Sequence, residues 1–238
     1  MNEPLMILAA GRGKRMLHLT DDKPKPLVSI LGRTLLDRVI DHAVKANIND
    51  IVINTCYKGN MIEKALKDRL EVNIQFSREE EALETGGGVL NALPLLLPKG
   101  KNGFFVANAD PLWVDKTTSI FEQLRQKWTP NDTDILLALI PKNQAFGALH
   151  HGDYFLNVDG QLRRKTKTDP DAPYFFTGIQ MLHPRIFNGV SAGIFSLVSL
   201  YDRAQQTGRL KAVIYDGDWY HVGTPEAVLA TEERLSDD

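Results

Sequence analysis

Short apolar runs alternate with segments of helical periodicity through about the first 140 residues, and this alternation constrains the fold more than any other feature. In TLLDRVIDHAVKAN, for example, Leu36, Val39, Ile40 and Ala43 recur at helical spacing. GGGVLNALPLLL is expected to begin a helix after its glycines. Strands that alternate with helices predict a parallel sheet covered on both faces. The apolar runs that predict these strands are LMILAA, DIVINTC, VNIQFS, GFFVAN and TDILLALI.

The alternation ends after about residue 140. GALHHGDYFLNVDGQLRRKT predicts a hairpin with its turn at Asp159–Gly160. PYFFTGIQML predicts a strand, FSLVSLYDRAQQTG predicts a helix that ends at Gly208, and LKAVIYDGDWYHVG has a strand-like pattern. TPEAVLATEERL predicts a helix with Thr224 as its N-cap and Pro225 at its first position. The second half therefore predicts a mixed extension of the parallel sheet.

Composition excludes several classes of protein. The 238 residues carry a formal net charge of −2, which gives no overall attraction to nucleic acid or to a membrane surface. No apolar run approaches the roughly 18 residues of a membrane span, and the N-terminus lacks the pattern of a signal peptide. Cys56 is the only cysteine in the sequence, which fits a reducing compartment. We expect one cytoplasmic α/β domain over residues 1–238, with neither nucleic acid nor membrane as a partner.

The segment LAAGRGKRM, residues 8–16, follows the first predicted strand. Open α/β sheets bind ligands at the carboxyl ends of their strands, and glycines there expose backbone N–H groups to anions. Arg12, Lys14 and Arg15 add positive charge, so the loop is expected to bind phosphate. It lacks the GxxxxGK[ST] pattern of a Walker A loop. It also lacks the third glycine of a dinucleotide-binding loop, and no helix is expected to start at once.

Five ordered motifs resemble the sugar-phosphate nucleotidyltransferases. They are LAAGRGKRM with the following KPKPLVSILGRTLLDRVI, LETGGGV at 83–89, FFVANAD at 104–110, FFTGI at 175–179 and WYHVGTPEA at 219–227. The resemblance implies a Rossmann-like, GT-A-like fold with a mostly parallel, mixed central sheet flanked by helices. It also implies a nucleotide-binding half over about 1–140 and a sugar-binding half over about 141–238. The implied reaction joins a sugar 1-phosphate to a nucleoside triphosphate and releases pyrophosphate.

The resemblance assigns roles to individual residues. Arg15, Lys25 and Asp110 are the implied catalytic residues. Lys25 would bridge phosphates, and Glu84 is a further candidate beside the base. The implied nucleotide-binding residues are Ala10, Gly11, Arg12, Gly13, Lys25, Thr85 and Gly86. The implied residues for the sugar phosphate are Asn108, Gly147, Lys165, Thr177 and Gly178, with Lys167 as an alternative to Lys165.

Mg²⁺ is the implied cofactor, because it binds few carboxylates together with phosphate oxygens. Asp110 follows an apolar strand and is the first candidate ligand. Many relatives place an aspartate where this chain has His221, and magnesium prefers oxygen to imidazole. The second ligand is therefore Asp218, a water held by His221, or neither; Asp218 is favoured, with His221 as its competitor. In a regular strand the side chains of Asp218 and His221 point to opposite faces. Asp218 can therefore replace the aspartate of the relatives only if a bulge at Gly217–Asp218 turns it to the face of His221.

Among compact members the motifs look most like uridylyltransferases that act on N-acetylmuramate 1-phosphate in peptidoglycan recycling, which implies UTP as the nucleotide. Mannose 1-phosphate guanylyltransferases share most of the motifs and are the alternative. A regulatory module that binds a nucleotide-sugar without turnover is a third hypothesis, motivated by His221. A dehydrogenase would need an acidic residue at the end of the second strand, where Thr55 and Cys56 stand instead.

Overall fold

The computed structural model describes residues 3–147, 151–157 and 161–236. The helices are α1 (Leu35–Lys45), α2 (Gly59–Ala65), α3 (Glu84–Leu96), α4 (Ile120–Lys127), α5 (Val198–Gln206) and α6 (Pro225–Ser236). The strands are β1 (Leu5–Leu8), β2 (Ser29–Ile30), β3 (Arg33–Thr34), β4 (Asp50–Thr55), β5 (Asn73–Arg78), β6 (Phe104–Asn108), β7 (Leu112–Val114), β8 (Ile135–Pro141), β9 (Ala145–Phe146), β10 (Tyr154–Leu156), β11 (Leu162–Arg164), β12 (Tyr174–Leu182), β13 (Leu210–Ile214) and β14 (Asp218–Tyr220).

In the part of the chain described, the central sheet runs β5-β4-β1-β6-β12-β8-β13, and β10 and β11 extend it beside β12. Strands β5, β4, β1 and β6 are mutually parallel, while β12 is antiparallel to both β6 and β8. Strand β13 runs parallel to β8. The sheet is therefore mostly parallel and mixed in its second half, which confirms the predicted fold class. Within the described residues, every helix is too short or too polar to span a lipid bilayer.

Each face of the sheet carries its own apolar core, because successive side chains of a strand point to opposite faces. Leu5 and Ile7 of β1 pack in one core with α1 and α4, and Met6 packs in the other with α3. All three side chains are fully buried, as expected for a central parallel strand. Helix α1 begins where the Thr34 hydroxyl accepts a hydrogen bond from the Asp37 N–H.

Helix α3 differs from the sequence prediction, because it begins at Glu84 and includes the glycines at 86–88. A Cβ at Gly86 would lie 2.4 Å from Cε2 of Phe195, and one at Gly87 would lie 2.2 Å from the carbonyl oxygen of Gly193. The glycines therefore let the first turn of the helix approach a neighbouring loop. The opening loop also departs from expectation, since a 3-10 helical segment spans Lys14–Thr20 directly after Gly13.

The strand-like stretch LKAVIYDGDWYHVG forms two strands, and they belong to different sheets. Strand β13 belongs to the central sheet, and β14 lies between β7 and β9 in a small sheet. The hairpin predicted around residue 159 forms from β10 and β11, and its turn at Asp159–Gly160 lies outside the described residues. The N-cap prediction for α6 holds, since the Ala227 N–H donates to the Thr224 hydroxyl.

A third, smaller core joins the ends of the chain. Helix α6 contacts the 3-10 segment after Gly13 and also contacts β2. The Leu31 N–H donates to Glu232 Oε1 at 2.9 Å. The loop after β1 is therefore supported from below by the last helix. The core is formed by Met16, Val28, Ile30, Leu35, Leu112, Tyr220, Val222 and Val228.

Candidate active site

The carboxyl ends of three parallel strands form one wall of a cavity of about 420 Å³. Leu8 of β1 is in register with Asn54 of β4 on one side and with Asn108 of β6 on the other. This edge of the sheet is where the sequence predicted a ligand site. The cavity is lined by Leu8, Ala9, Ala10, Gly11, Gly13, Lys14, Arg15, Met16, Lys25, Pro26, Asn54, Ala82, Glu84, Thr85, Asn108, Ala109, Asp110 and Gly223.

The opening loop brings Lys14 and Arg15 to the cavity wall. Gly13 makes this possible, because its φ is +74° and a Cβ on it would lie 2.6 Å from the Cβ of Lys25. Arg12 is not among the lining residues. Its guanidinium lies over the ring of Tyr57, 5.0 Å from the ring centre.

Lys25 and Asp110 form an ion pair inside the cavity, with Nζ and Oδ2 2.6 Å apart. Lys25 is only 7% exposed, whereas 38% of the Asp110 side chain is exposed. The pair joins the loop after β1 to the loop after β6. An anion can therefore attract the ammonium and a cation can attract the carboxylate within one small volume.

A second cavity of about 310 Å³ adjoins the first. Arg15, Asn108 and Asp110 line both cavities, so the two spaces meet at these three side chains. Gly178, with a φ of +83°, packs against Asn108, and a Cβ there would lie 2.8 Å from Nδ2 of the asparagine. The other residues that line the second cavity are Pro111, His151, Asp153, Phe175, Phe176, Thr177, Gly178, Trp219 and His221.

His221, rather than Asp218, lies beside Asp110 in the second cavity. Strand β14 pairs with β7 in regular register at Asp218, so the bulge required for that residue does not form. The Asp218 carboxylate instead accepts a hydrogen bond from Lys116 Nζ at 2.9 Å, and Asp218 lines neither cavity. Burial lowers the pKa of His221, and the charge of Lys25 lowers it further. The structure therefore does not bring Asp218, the favoured second metal ligand, into either cavity with Asp110.

Comparison with known proteins decides the family. The sequence model for nucleotidyl transferases matches residues 5–237. The chain belongs to the nucleotidyl transferase family. It is 38% identical over 237 residues to the N-acetylmuramate alpha-1-phosphate uridylyltransferase of Caulobacter vibrioides, covering 98% of this chain and 96% of that protein. It is 33% identical over 223 residues to the Neisseria meningitidis serogroup B protein of the same name, covering 92% of each.

The fold of this nucleotidyl transferase also matches solved structures. HddC from Yersinia pseudotuberculosis, solved in complex with GMP-PN, matches with a TM-score of 0.77 at 20% identity. The match covers 98% of this chain and 99% of that one. The family resemblance carried by the five motifs is confirmed, and so is the Rossmann-like fold that it implied.

Several predicted residues of the nucleotidyl transferase support the cavities without lining them. Gly86 donates its N–H to the carbonyl of Phe195 and lines neither cavity. Gly147 packs against the backbone of His221, where a Cβ would lie 2.8 Å from the carbonyl oxygen. Lys165 lines neither cavity, although its charge partly offsets the burial that raises the pKa of Asp153 in the second one. These glycines therefore fix neighbouring groups through backbone contact.

Thr85 and Thr177 line the cavities, but their hydroxyls are occupied by backbone groups. Thr85 Oγ1 accepts a hydrogen bond from the Leu197 N–H at 2.9 Å. Thr177 Oγ1 donates to the Ala138 carbonyl at 2.9 Å. Thr177 therefore shapes its cavity through its position, whereas the Thr85 hydroxyl keeps an O–H beside the Ser196 hydroxyl, 3.5 Å away.

Sequence reasoning missed Asn54 and Asp153. Asn54 ends an apolar run at the carboxyl edge of the sheet, and this position was the signal that could have found it. Asp153 lies in the second cavity, where its Oδ2 accepts a hydrogen bond from the Phe176 N–H at 2.9 Å. Desolvation by the surrounding protein raises the pKa of Asp153, although its side chain still reaches solvent.

The side chains at the junction of the two cavities suit a cation whose other ligands come from a substrate. Among residues 3–147, 151–157 and 161–236, no three His, Cys, Asp or Glu side chains come together as a metal site. Asp110 offers a half-exposed carboxylate at the junction of the two cavities. Mg²⁺ is commonly held by one or two carboxylates together with phosphate oxygens and water, so Asp110 fits it.

Proposed function

We propose that this nucleotidyl transferase joins UTP to N-acetylmuramate 1-phosphate, forming UDP-N-acetylmuramate and pyrophosphate. The observation that carries the proposal is the pair of adjoining cavities that share Arg15, Asn108 and Asp110. One cavity suits a nucleotide and the other a sugar phosphate, with the reacting phosphates at the shared wall. The names of the Caulobacter and Neisseria relatives, matched over nearly their whole length, support this choice of base and sugar.

In the proposed mechanism, an oxygen of the sugar phosphate attacks the α-phosphorus of the nucleotide. The bond from that phosphorus to the bridging oxygen breaks, and pyrophosphate leaves with the electron pair. The attacking oxygen needs no strong base, because the second pKa of a phosphate monoester is about 6. The protein's task is to hold the anions in line and to neutralise charge. Arg15 would do this from the wall that both substrates touch.

Lys25 and Asp110 would exchange partners when substrates bind. The ammonium of Lys25 would turn to the nucleotide phosphates as the carboxylate of Asp110 turns to the cation. Enzymes of this family generally use a divalent metal, and here we propose Mg²⁺. Asp110 would hold this cation, and the cation would supply positive charge to balance the charge that develops on the leaving group. The backbone of residues 10–13 would hold the nucleotide, and Asn108 and residues 177–178 would hold the sugar phosphate.

The same geometry leads us to propose a division of labour along the chain. Residues up to about 140 would form the nucleotide-binding half, and the rest would form the sugar-binding half. Both proposed substrates are highly charged phosphates, which do not cross a lipid bilayer unaided. We therefore propose a cytoplasmic location, which fits a sequence with a single cysteine.

Pyrophosphate release tests the proposal directly. Purified protein is mixed with Mg²⁺, each of UTP, GTP, CTP and dTTP, and a panel of sugar 1-phosphates. Release with UTP and N-acetylmuramate 1-phosphate supports the proposal, and release with GTP and mannose 1-phosphate replaces its substrates. Folded protein that binds nucleotide but releases no pyrophosphate with any pair would overturn catalysis in favour of a binding module.

A further inference from the structure

A buried hydrogen-bonded chain connects the two sides of the first cavity. The Ala9 N–H donates to Asn54 Oδ1 at 2.7 Å, and Asn54 Nδ2 donates to Glu79 Oε1 at 2.7 Å. The Leu83 N–H then donates to Glu79 Oε2 at 3.0 Å. Asn54 is 2% exposed and Glu79 is 9% exposed. Each polar atom in this chain therefore has its partner inside the protein.

The hydrogen bonds of Asn54 and Glu79 lie between two segments that face the cavity. Ala9 begins the loop after β1, and Leu83 directly precedes Glu84 at the start of α3. Gly88 leaves room for the chain, because a Cβ there would lie 2.7 Å from Asn54 Nδ2 and 2.9 Å from Glu79 Oε1. Asn54 and Glu79 thus fix the distance between the loop after β1 and the start of α3.

This end of the cavity suits a nucleobase rather than a phosphate. The cationic side chains that line the cavity are those of Lys14, Arg15 and Lys25, and they follow the first glycines of the loop. Around the hydrogen bonds of Asn54 and Glu79, the cavity is lined by Ala9, Ala10, Ala82, Glu84 and Thr85. The small side chains here allow close approach of a planar ring, and neither they nor the Glu84 carboxylate offers positive charge to balance a phosphate.

We infer that Asn54 and Glu79 are positioning residues that set the width of the nucleobase cleft. The inference rests on the proposed function, since it requires that a nucleoside triphosphate binds in this cavity. The two residues act through the backbone at 9–11 and 82–85, and the nucleotide is recognised by the cleft that they hold open. Breaking these hydrogen bonds should therefore weaken nucleotide binding more than sugar-phosphate binding.

Exchanging the amide and the carboxylate tests this inference. Asn54→Asp places two carboxylates face to face, and Glu79→Gln leaves two amide donors face to face. Each single change should raise the KM for the nucleotide at least tenfold at pH 8, with the KM for the sugar phosphate changing less than threefold. In the double variant, the carboxylate at position 54 accepts from Ala9 and from the amide at 79, whose oxygen accepts from Leu83. All three hydrogen bonds return, so the nucleotide KM should recover to within about threefold of wild type.

The nucleotide Kd from calorimetry and the unfolding temperature accompany the kinetics. Single variants that unfold earlier but keep the nucleotide KM and Kd would overturn the inference, because the chain would then serve stability alone. A double variant that regains its unfolding temperature but not its nucleotide Kd would also overturn it, because Asn54 would then contact the nucleotide itself. Wild-type protein that binds no nucleoside triphosphate would overturn the proposed function first, and that result is visible before any variant is made.

Discussion

Gly13 and Gly178 both have positive φ angles, and both lie directly against a polar side chain of the site. Gly13 contacts the stem of Lys25, and Gly178 contacts the amide of Asn108. A methyl group at either position would displace the neighbour and would also strain the backbone. Lys25 and Asn108 therefore owe their positions to the absence of a side chain on another residue.

Gly13→Ala is expected to lower kcat/KM at least tenfold, because its new Cβ would lie 2.6 Å from the Cβ of Lys25. Gly32→Ala is the matched control. Its φ is +75°, close to the +74° of Gly13, and nothing lies within 4 Å of a Cβ there. Both variants should lose about 1 kcal/mol of stability from backbone strain. Steady-state kinetics and thermal unfolding separate the two effects, and equal activity in both variants would contradict the prediction.

Asp110→Asn is expected to lower kcat at least about a hundredfold, because the shared wall loses the charge proposed to hold the cation. Asp218→Asn is expected to leave kcat within about twofold, because that carboxylate contacts Lys116 outside both cavities. Pyrophosphate release at saturating Mg²⁺ measures both. A large loss at position 218 would restore Asp218 as a metal-ligand candidate.

The sequence predicts the residues of the site only where function demands a local pattern. The glycines and cations of the opening loop lie within a few positions of one another, so their purpose is visible in the sequence. Asn54 has no such pattern, because its hydrogen-bond partners lie 45 and 25 residues away in the sequence. Its burial against Gly88 is a property of the folded chain alone.

At the scale of elements, one carboxylate ties three neighbouring strands together. Asp134 precedes β8 and accepts hydrogen bonds from Arg185, in the turn after β12, and from Arg209, which precedes β13. Burial would raise the pKa of Asp134, but the hydrogen bonds from the two guanidiniums outweigh it and hold the pKa below its ordinary value. The ends of β8, β12 and β13 are therefore held by charge as well as by the sheet.

Asp134→Asn is expected to lower the free energy of unfolding by about 1–2 kcal/mol at neutral pH. A lowered folded-state pKa means that the contribution is complete above the ordinary carboxyl pKa, near 3.9, and is lost as the pH falls through the folded value. The difference between variant and wild type in urea unfolding should therefore be constant from pH 7 to pH 5 and should shrink toward pH 3. Asp68→Asn is the control, because the Asp68 side chain is 87% exposed and its change should have little effect. A difference that grew on acidification would contradict the prediction.

Element boundaries follow from the sequence where local periodicity and tertiary packing agree. Helix α1 meets both conditions, with an N-cap at Thr34 and an apolar stripe facing the core. Around Asp216 local pattern and packing disagree. The sequence is strand-like without interruption, but the backbone passes there from the central sheet to the small one. The glycines at 86–88 predict a helix that starts after them, whereas α3 includes them. Their contact with the loop at 193–195 outweighs their poor helix propensity.

At the scale of the whole molecule, the fold is built without a metal centre in the residues that the structure describes. Chelation with EDTA should leave the unfolding temperature of the substrate-free protein unchanged, because no metal site supports the fold in those residues. It should abolish pyrophosphate release, because the proposed reaction needs Mg²⁺. Mg²⁺ should raise that temperature only when a nucleoside triphosphate is present, because the cation would bind through its phosphates. A rise with Mg²⁺ alone, measured by differential scanning fluorimetry, would contradict this prediction.

The support that α6 gives to the opening loop has a consequence for synthesis on the ribosome. Apart from Trp219, the buried residues of the two large cores precede β14 and α6, whereas the third core needs Tyr220, Val222 and Val228. Until those residues leave the exit tunnel, the loop that carries Arg15 lacks its apolar support. We therefore expect a nascent chain to bind nucleotide only after these residues have joined the third core.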